Sequence, residues 1–64
     1  MPVPMSEINP VLDAFRACKT LTEVNTTAVH YAKFVVKLDK GCEVDRTMAI
    51  WIKNLAKYQR MILR

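Results

Sequence analysis

LTEVNTTAVHYAKFVVKLDKG, residues 21–41, is the stretch that decides the fold. Its apolar side chains recur every three or four residues, the spacing that places them on one face of an α-helix. These positions are Leu21, Val24, Ala28, Tyr31, Val35 and Leu38. The pattern predicts one helix over residues 21–39, which Gly41 ends in a left-handed conformation. Thr20 and Glu23 have the spacing of a capping box at its start.

A second amphipathic pattern follows at once and predicts a helix over residues 44–63, with Asp45 as its cap. Its apolar seam consists of Val44, Met48, Trp51, Leu55, Tyr58 and Ile62. Both helices are about 19 residues long, roughly 28 Å. Because only a short turn joins them, they are expected to form an antiparallel helical hairpin.

The N-terminal region predicts one short helix. Pro2 and Pro4 favour an extended lead-in over residues 1–8. Asn9 suits an N-cap and Pro10 the first helical position, so a helix is expected over residues 10–18. The predicted fold class is all-α: a small helical bundle, forming a single domain over residues 1–64, in which this helix packs on the hairpin.

Length and composition narrow the class of protein. Of 64 residues, 52% are hydrophobic and only one is glycine. This composition excludes a disordered tail and a turn-rich all-β domain. A chain this short builds a marginal core, so a homodimer or a complex with another protein is expected.

The two cysteines, Cys18 and Cys42, lie at opposite ends of the predicted helix over residues 21–39. That helix would hold them roughly 30 Å apart, too far for a disulfide, which needs α-carbons within about 7 Å. Two free thiols, with neither a signal peptide nor a membrane-spanning stretch, predict a cytoplasmic protein. Cys18, His30 and Cys42 match no zinc-ligand spacing, so neither a metal nor a cofactor is expected.

The sequence also lacks the residues of a catalytic site. It has one histidine, no nucleophile–base pair at useful spacing and no glycine-rich loop. We therefore expect a binding protein and not an enzyme.

Charge is unevenly distributed along the chain. Residues 1–32 carry two basic and three acidic side chains, a net −1, whereas residues 33–64 carry eight and three, a net +5; together they give the formal charge of +4. On the last predicted helix, five cations fall within about 60° of one another on the helical wheel. They are Arg46, Lys53, Lys57, Arg60 and Arg64. A charged helix face is often only a solvated surface, but acids are missing from this one.

Ile50 and Met61 project beside these cations, away from the predicted seam. Together they suggest an apolar and basic face that docks on another protein with an acidic surface, as a regulator, inhibitor, adaptor or chaperone. The alternative is a protein that binds DNA or RNA through the cations. Against it, Trp51 and Tyr58 are expected in the core, not as stacking platforms for bases. Binding to a membrane surface is the third reading.

Overall fold

The computed structural model describes residues 2–63. Within that range the chain forms four α-helices and no strand: α1 (Met5–Arg16), α2 (Leu21–His30), α3 (Ala32–Asp39) and α4 (Glu43–Ile62). The all-helical prediction is confirmed. None of these helices combines the length and the hydropathy that a membrane crossing requires.

Helix α1 begins earlier and ends earlier than predicted. Residues 5–8, expected in the extended lead-in, are helical, and Pro10 lies inside the helix and not at its first position. The buried face explains this, because Ile8 joins Val11, Leu12 and Phe15 in the core. Burying a side chain of this size contributes about 1.5–3 kcal/mol, which offsets much of the roughly 3 kcal/mol that an internal proline costs.

The single helix predicted over residues 21–39 is wrong, because it is divided at Tyr31. This residue has φ −100° and ψ 9°, ending α2 and preceding α3. Neither proline nor glycine causes the break. Backbone hydrogen bonds continue on both sides of the break, from the Tyr31 N–H to the Thr27 carbonyl oxygen and from the Val35 N–H to the Tyr31 carbonyl oxygen, each at 3.0 Å, so the irregularity is confined to Tyr31. The predicted cap is confirmed: the Thr20 side chain accepts a hydrogen bond from the Glu23 backbone N–H at 3.1 Å.

The turn before α4 uses its glycine for space. No described residue has a positive φ, so the left-handed conformation predicted for Gly41 is wrong. A Cβ at Gly41 would instead lie 2.5 Å from Asp45 Oδ2. Cys42, not Asp45, is the N-cap. Asp45 lies buried in the first turn, where its Oδ1 accepts a hydrogen bond from the Val3 backbone N–H at 2.9 Å.

The core-facing side of α4 is displaced by one residue from the predicted seam. Its buried positions are Asp45, Ala49, Ile52, Ala56 and Gln59. Each of them directly follows a residue of the predicted seam, which corresponds to a rotation of about 100°. The small side chains of Ala49 and Ala56 allow α4 to approach the other three helices closely, and α4 contacts all of them.

A buried polar contact joins α4 to the end of α1. The Gln59 side chain donates from Nε2 to the Phe15 carbonyl oxygen at 2.8 Å. That oxygen lies in the last turn of α1, where it also accepts a hydrogen bond from the Cys18 backbone N–H at 3.2 Å. Gln59 therefore fixes the position of the two helices relative to each other. Cys18 and Cys42 are both free, Cys18 buried and Cys42 exposed.

Candidate docking surface on helix α4

Helix α4 exposes the large apolar side chains that its predicted seam would have buried. Val44, Trp51, Tyr58 and Ile62 are each 45–55% exposed, and Met48 and Leu55 are half-buried at the edge of the core. We call these six residues the apolar stripe. The aromatic side chains predicted to lie in the core therefore face solvent, and that part of the sequence prediction is wrong.

The predicted cations lie on another side of α4. We call Arg46, Lys53, Lys57 and Arg60 the basic ridge; Arg64, also predicted there, lies outside the described residues. On a helical wheel the ridge is about 90° from the buried side and roughly 170° from the middle of the apolar stripe. Helix α4 thus presents three different sides: a core side, a basic side and an apolar side.

Two of the four ridge residues are already engaged within the molecule. Lys53 Nζ donates to Asp39 Oδ2 at 2.7 Å, and Arg60 Nε donates to Asn25 Oδ1 at 3.1 Å. Both contacts point toward α2 and α3. Among the described side chains, neither a hydrogen bond nor an ion pair joins Arg46 or Lys57, and both are exposed. Lys53 is thus paired with an opposite charge, whereas Arg60 keeps its charge but is held in place by the neutral amide of Asn25.

Ile50 and Met61 are exposed, 57% and 62% respectively. Their wheel positions lie between the basic ridge and the apolar stripe. The structure therefore brings the predicted apolar pair to the solvent side of α4, next to Arg46 and Lys57, the two ridge cations that lack a partner in the described part of the chain.

A groove runs between α4 and the α2–α3 segment, with a volume of about 390 Å³. Phe15, Ile52 and Ala56 line it, and Lys53 and Arg60 border it. A small-molecule site usually adds several converging polar groups to such an apolar wall. Here the two bordering cations already contact Asp39 and Asn25. Within residues 2–63, no group of three His, Cys, Asp or Glu side chains is close enough to hold a metal.

No family model, no curated protein and no solved structure matches this chain.

Sequence reasoning missed Trp51, Tyr58, Val44 and Ile62 as surface residues. One signal in the sequence could have indicated that these residues are exposed. A second stripe with the same three- and four-residue spacing passes through Ala49, Ile52 and Ala56. Alanines at helical spacing suit a closely packed helix contact, whereas a stripe of large side chains needs more room. Periodicity alone therefore does not indicate which of the two stripes is buried.

Proposed function

We propose that this protein is a non-enzymatic binding protein that docks on another protein, as a regulator, inhibitor, adaptor or chaperone. The docking face consists of Arg46, Ile50, Lys53, Lys57, Arg60, Met61 and Arg64. One observation carries the proposal: Ile50 and Met61 of α4 are exposed next to Arg46 and Lys57, which have no partner among residues 2–63. Large exposed apolar areas on a small protein commonly mark an interaction surface.

The chemistry of this face defines the partner. Ile50 and Met61 supply apolar anchors, and methionine adapts its shape to an irregular surface. Arg46 and Lys57 lie on the basic side of these anchors and remain unpaired among the described residues. A matching partner surface is apolar in the middle and acidic at its edge, so that charge guides the encounter and apolar contact holds the complex.

The scaffold behind this face is, in this proposal, an antiparallel helical hairpin formed by α2–α3 and α4. Two contacts support it. Asp39, at the end of α3, contacts Lys53 in the middle of α4, whereas Asn25, near the start of α2, contacts Arg60 near the end of α4. Residues later in the α2–α3 segment therefore contact residues earlier in α4, as an antiparallel arrangement requires. Such a scaffold holds α4 in place through other contacts, so the side chains of α4 that face solvent are not needed for this purpose.

Binding to DNA or RNA is the alternative function. It would rest on Arg46 and Lys57, since Lys53 and Arg60 already have partners. The exposure of Trp51 and Tyr58 adds to this alternative, because exposed aromatic rings can stack on bases. These rings, however, lie on the other side of α4 from the ridge, so one strand would have to wrap around the helix to contact both.

The test is a double substitution, Ile50→Ser with Met61→Ser, in tagged protein used to capture partners from an extract of the source cells. The matched control is Met5→Ser with Val29→Ser, which changes two exposed apolar residues away from α4. Once a captured partner is purified, the α4 variant should bind it at least about 30-fold more weakly, since a loss of 2 kcal/mol is typical of interface hot spots. The control should bind like wild type. Equal binding by both variants would refute this docking face.

A second variant, Arg46→Gln with Lys57→Gln, separates protein from nucleic acid. If the partner is a protein, this variant should slow association and flatten its salt dependence, with a smaller effect on affinity. Wild-type protein should show no binding to labelled single- and double-stranded oligonucleotides at low salt. Binding that falls steeply with salt and disappears in the charge variant would favour the nucleic-acid function instead.

A further inference from the structure

The apolar stripe of α4 is not part of the predicted docking face; Met48 and Leu55 pack partly against the core, whereas Val44, Trp51, Tyr58 and Ile62 are about half exposed. Its members follow one another at intervals of four, three, four, three and four residues, which is the a/d repeat of a coiled coil over nearly three heptads. Val44, Trp51 and Tyr58 take the d positions, and Met48, Leu55 and Ile62 the a positions. Such a seam is suited to packing against another helix.

We propose that the apolar stripe binds the apolar stripe of a second copy of this chain, with the two α4 helices antiparallel about a two-fold axis close to Lys53. This goes beyond the proposed function, because it assigns a different side of α4 and a different partner.

Size complementarity favours the second copy. A two-fold axis near residue 53 places Trp51 opposite Leu55 of the other copy, Tyr58 opposite Met48, and Val44 opposite Ile62. Every d position then meets an a position, as antiparallel helices require, and each large side chain meets a smaller or more flexible one. Parallel pairing would instead put Trp51 against Trp51 and Tyr58 against Tyr58, with two large rings in each layer.

Charge also permits self-association on this side. The outward positions that flank the stripe are Thr47, Asn54 and Met61, none of them charged. The basic ridge lies roughly 170° away from the stripe, so the two ridges of a dimer point apart and their repulsion is screened. Antiparallel pairing also opposes the two helix dipoles.

The apolar area that the stripe exposes can be compared with the area that a specific interface buries. Trp51 and Tyr58 are each about half exposed. Aromatic side chains of this kind bury 150–250 Å², so the pair leaves roughly 200 Å² uncovered. With Val44 and Ile62, also about half exposed, the stripe offers on the order of 400 Å² of apolar surface per copy. Two copies therefore bury about 800 Å² of apolar surface, and the uncharged margin has to supply about 400 Å² more to reach the lower end of specific interfaces, about 1,200 Å² in total, so the dimer is expected to be weak.

An unrelated acidic partner would be complementary to the ridge and not to this uncharged stripe. The dimer leaves Ile50, Arg46 and Lys57 of both copies open to solvent. Met61 is the one residue that the docking face shares with the margin of the dimer, so the two surfaces are tested separately by changes at Ile50, Arg46 and Lys57 on one side and at Trp51 and Tyr58 on the other.

Sedimentation equilibrium of the full chain, from about 1 µM to about 1 mM, tests the assembly. Wild type should convert from monomer to dimer in this range. Trp51→Ser with Tyr58→Ser should weaken the dimer at least tenfold while far-UV circular dichroism still reports the wild-type helix content. The matched control, Val29→Ser with Ile50→Ser, should dimerise like wild type.

A wild-type protein that stays monomeric throughout would overturn the proposal, as would a dimer insensitive to the changes at Trp51 and Tyr58. If the variant with Trp51→Ser and Tyr58→Ser loses its helix content, the same measurement is made on Val44→Ser with Ile62→Ser, since both residues are more than half exposed. Loss of dimerisation leaves the Ile50 and Met61 test of the proposed function unaffected.

Oxidative cross-linking tests the orientation. In an antiparallel pair, Asn54 flanks the seam next to Asn54 of the other copy, whereas in a parallel pair these residues lie apart. We expect Asn54→Cys, in a Cys42→Ser background, to form a covalent dimer on mild oxidation. Cys18 stays in place because it is buried and its Sγ donates to the Ala14 carbonyl oxygen at 3.2 Å. The control, Ile50→Cys in the same background, should remain uncoupled. A sample that sediments as a dimer without cross-linking at position 54 would refute the antiparallel pairing.

Discussion

Gly41, in the α3–α4 turn, lies close to Asp45. The Asp45 side chain in turn accepts a hydrogen bond from the backbone N–H of Val3, near the start of the chain. A Cβ at Gly41 would approach Asp45 Oδ2 to 2.5 Å and Asp45 Cβ to 2.9 Å. We expect Gly41→Ala to displace the buried carboxylate and break its hydrogen bond from the Val3 N–H. Losing a buried hydrogen bond of this type costs about 1–3 kcal/mol, so the free energy of unfolding in urea should fall by that amount.

Lys40→Ala is the matched control, because it introduces the same methyl-sized side chain one residue earlier, at an exposed position. It should change the free energy of unfolding by less than about 0.5 kcal/mol. Equal stability of the Gly41→Ala variant and the wild type would contradict the close approach.

At the residue scale, local chemistry predicted some features and failed at others. The cap at Thr20 could be predicted because a threonine side chain bonds a backbone group only three residues away. The start of α1 could not. Local rules place Pro10 at a first helical position, but the burial of Ile8 extends the helix to Met5. The role of Gly41 was also hidden, since it depends on where the side chain of Asp45 points.

At the scale of the helix, α4 shows why periodicity does not choose between adjacent stripes. One stripe passes through Trp51 and Tyr58, the other through Ile52 and Ala56, and both have helical spacing. Which one is buried depends on the shape of the surface that α1, α2 and α3 present. The length of α4 was predicted within one residue at each end, because its turn and its charge pattern are local. The break at Tyr31 had no proline or glycine to mark it.

The three isoleucines of α4 allow this register to be measured with one type of substitution. Ile52 is 1% exposed, whereas Ile50 and Ile62 are 57% and 54% exposed. Ile52→Ala should lower the free energy of unfolding by about 2–5 kcal/mol, as cavity-forming changes in a core do. Ile50→Ala and Ile62→Ala should cost less than about 1 kcal/mol. Urea denaturation should be followed in dilute protein, so that self-association does not contribute. If Ile62→Ala cost as much as Ile52→Ala, the predicted seam would be the true core side.

At the scale of the whole molecule, charge and apolar surface are separated around one helix. The basic face was predicted from the sequence, because charged side chains on a helix rarely face a core. The contacts that two of its cations make within the molecule were not, since Asp39 and Asn25 lie 14 and 35 residues from Lys53 and Arg60. The exposure of the apolar stripe was likewise hidden, although it provides the surface on which the proposed dimer rests.

The outward orientation of the apolar stripe of α4 is tested most directly by the fluorescence of Trp51, the only tryptophan in the chain. In dilute native protein its emission should be that of a half-exposed indole and should be quenched by acrylamide. As the concentration rises and the second copy covers the stripe, the emission should shift to the blue and quenching should weaken. A blue-shifted emission that is protected from acrylamide at every concentration would place Trp51 in the core and contradict the account.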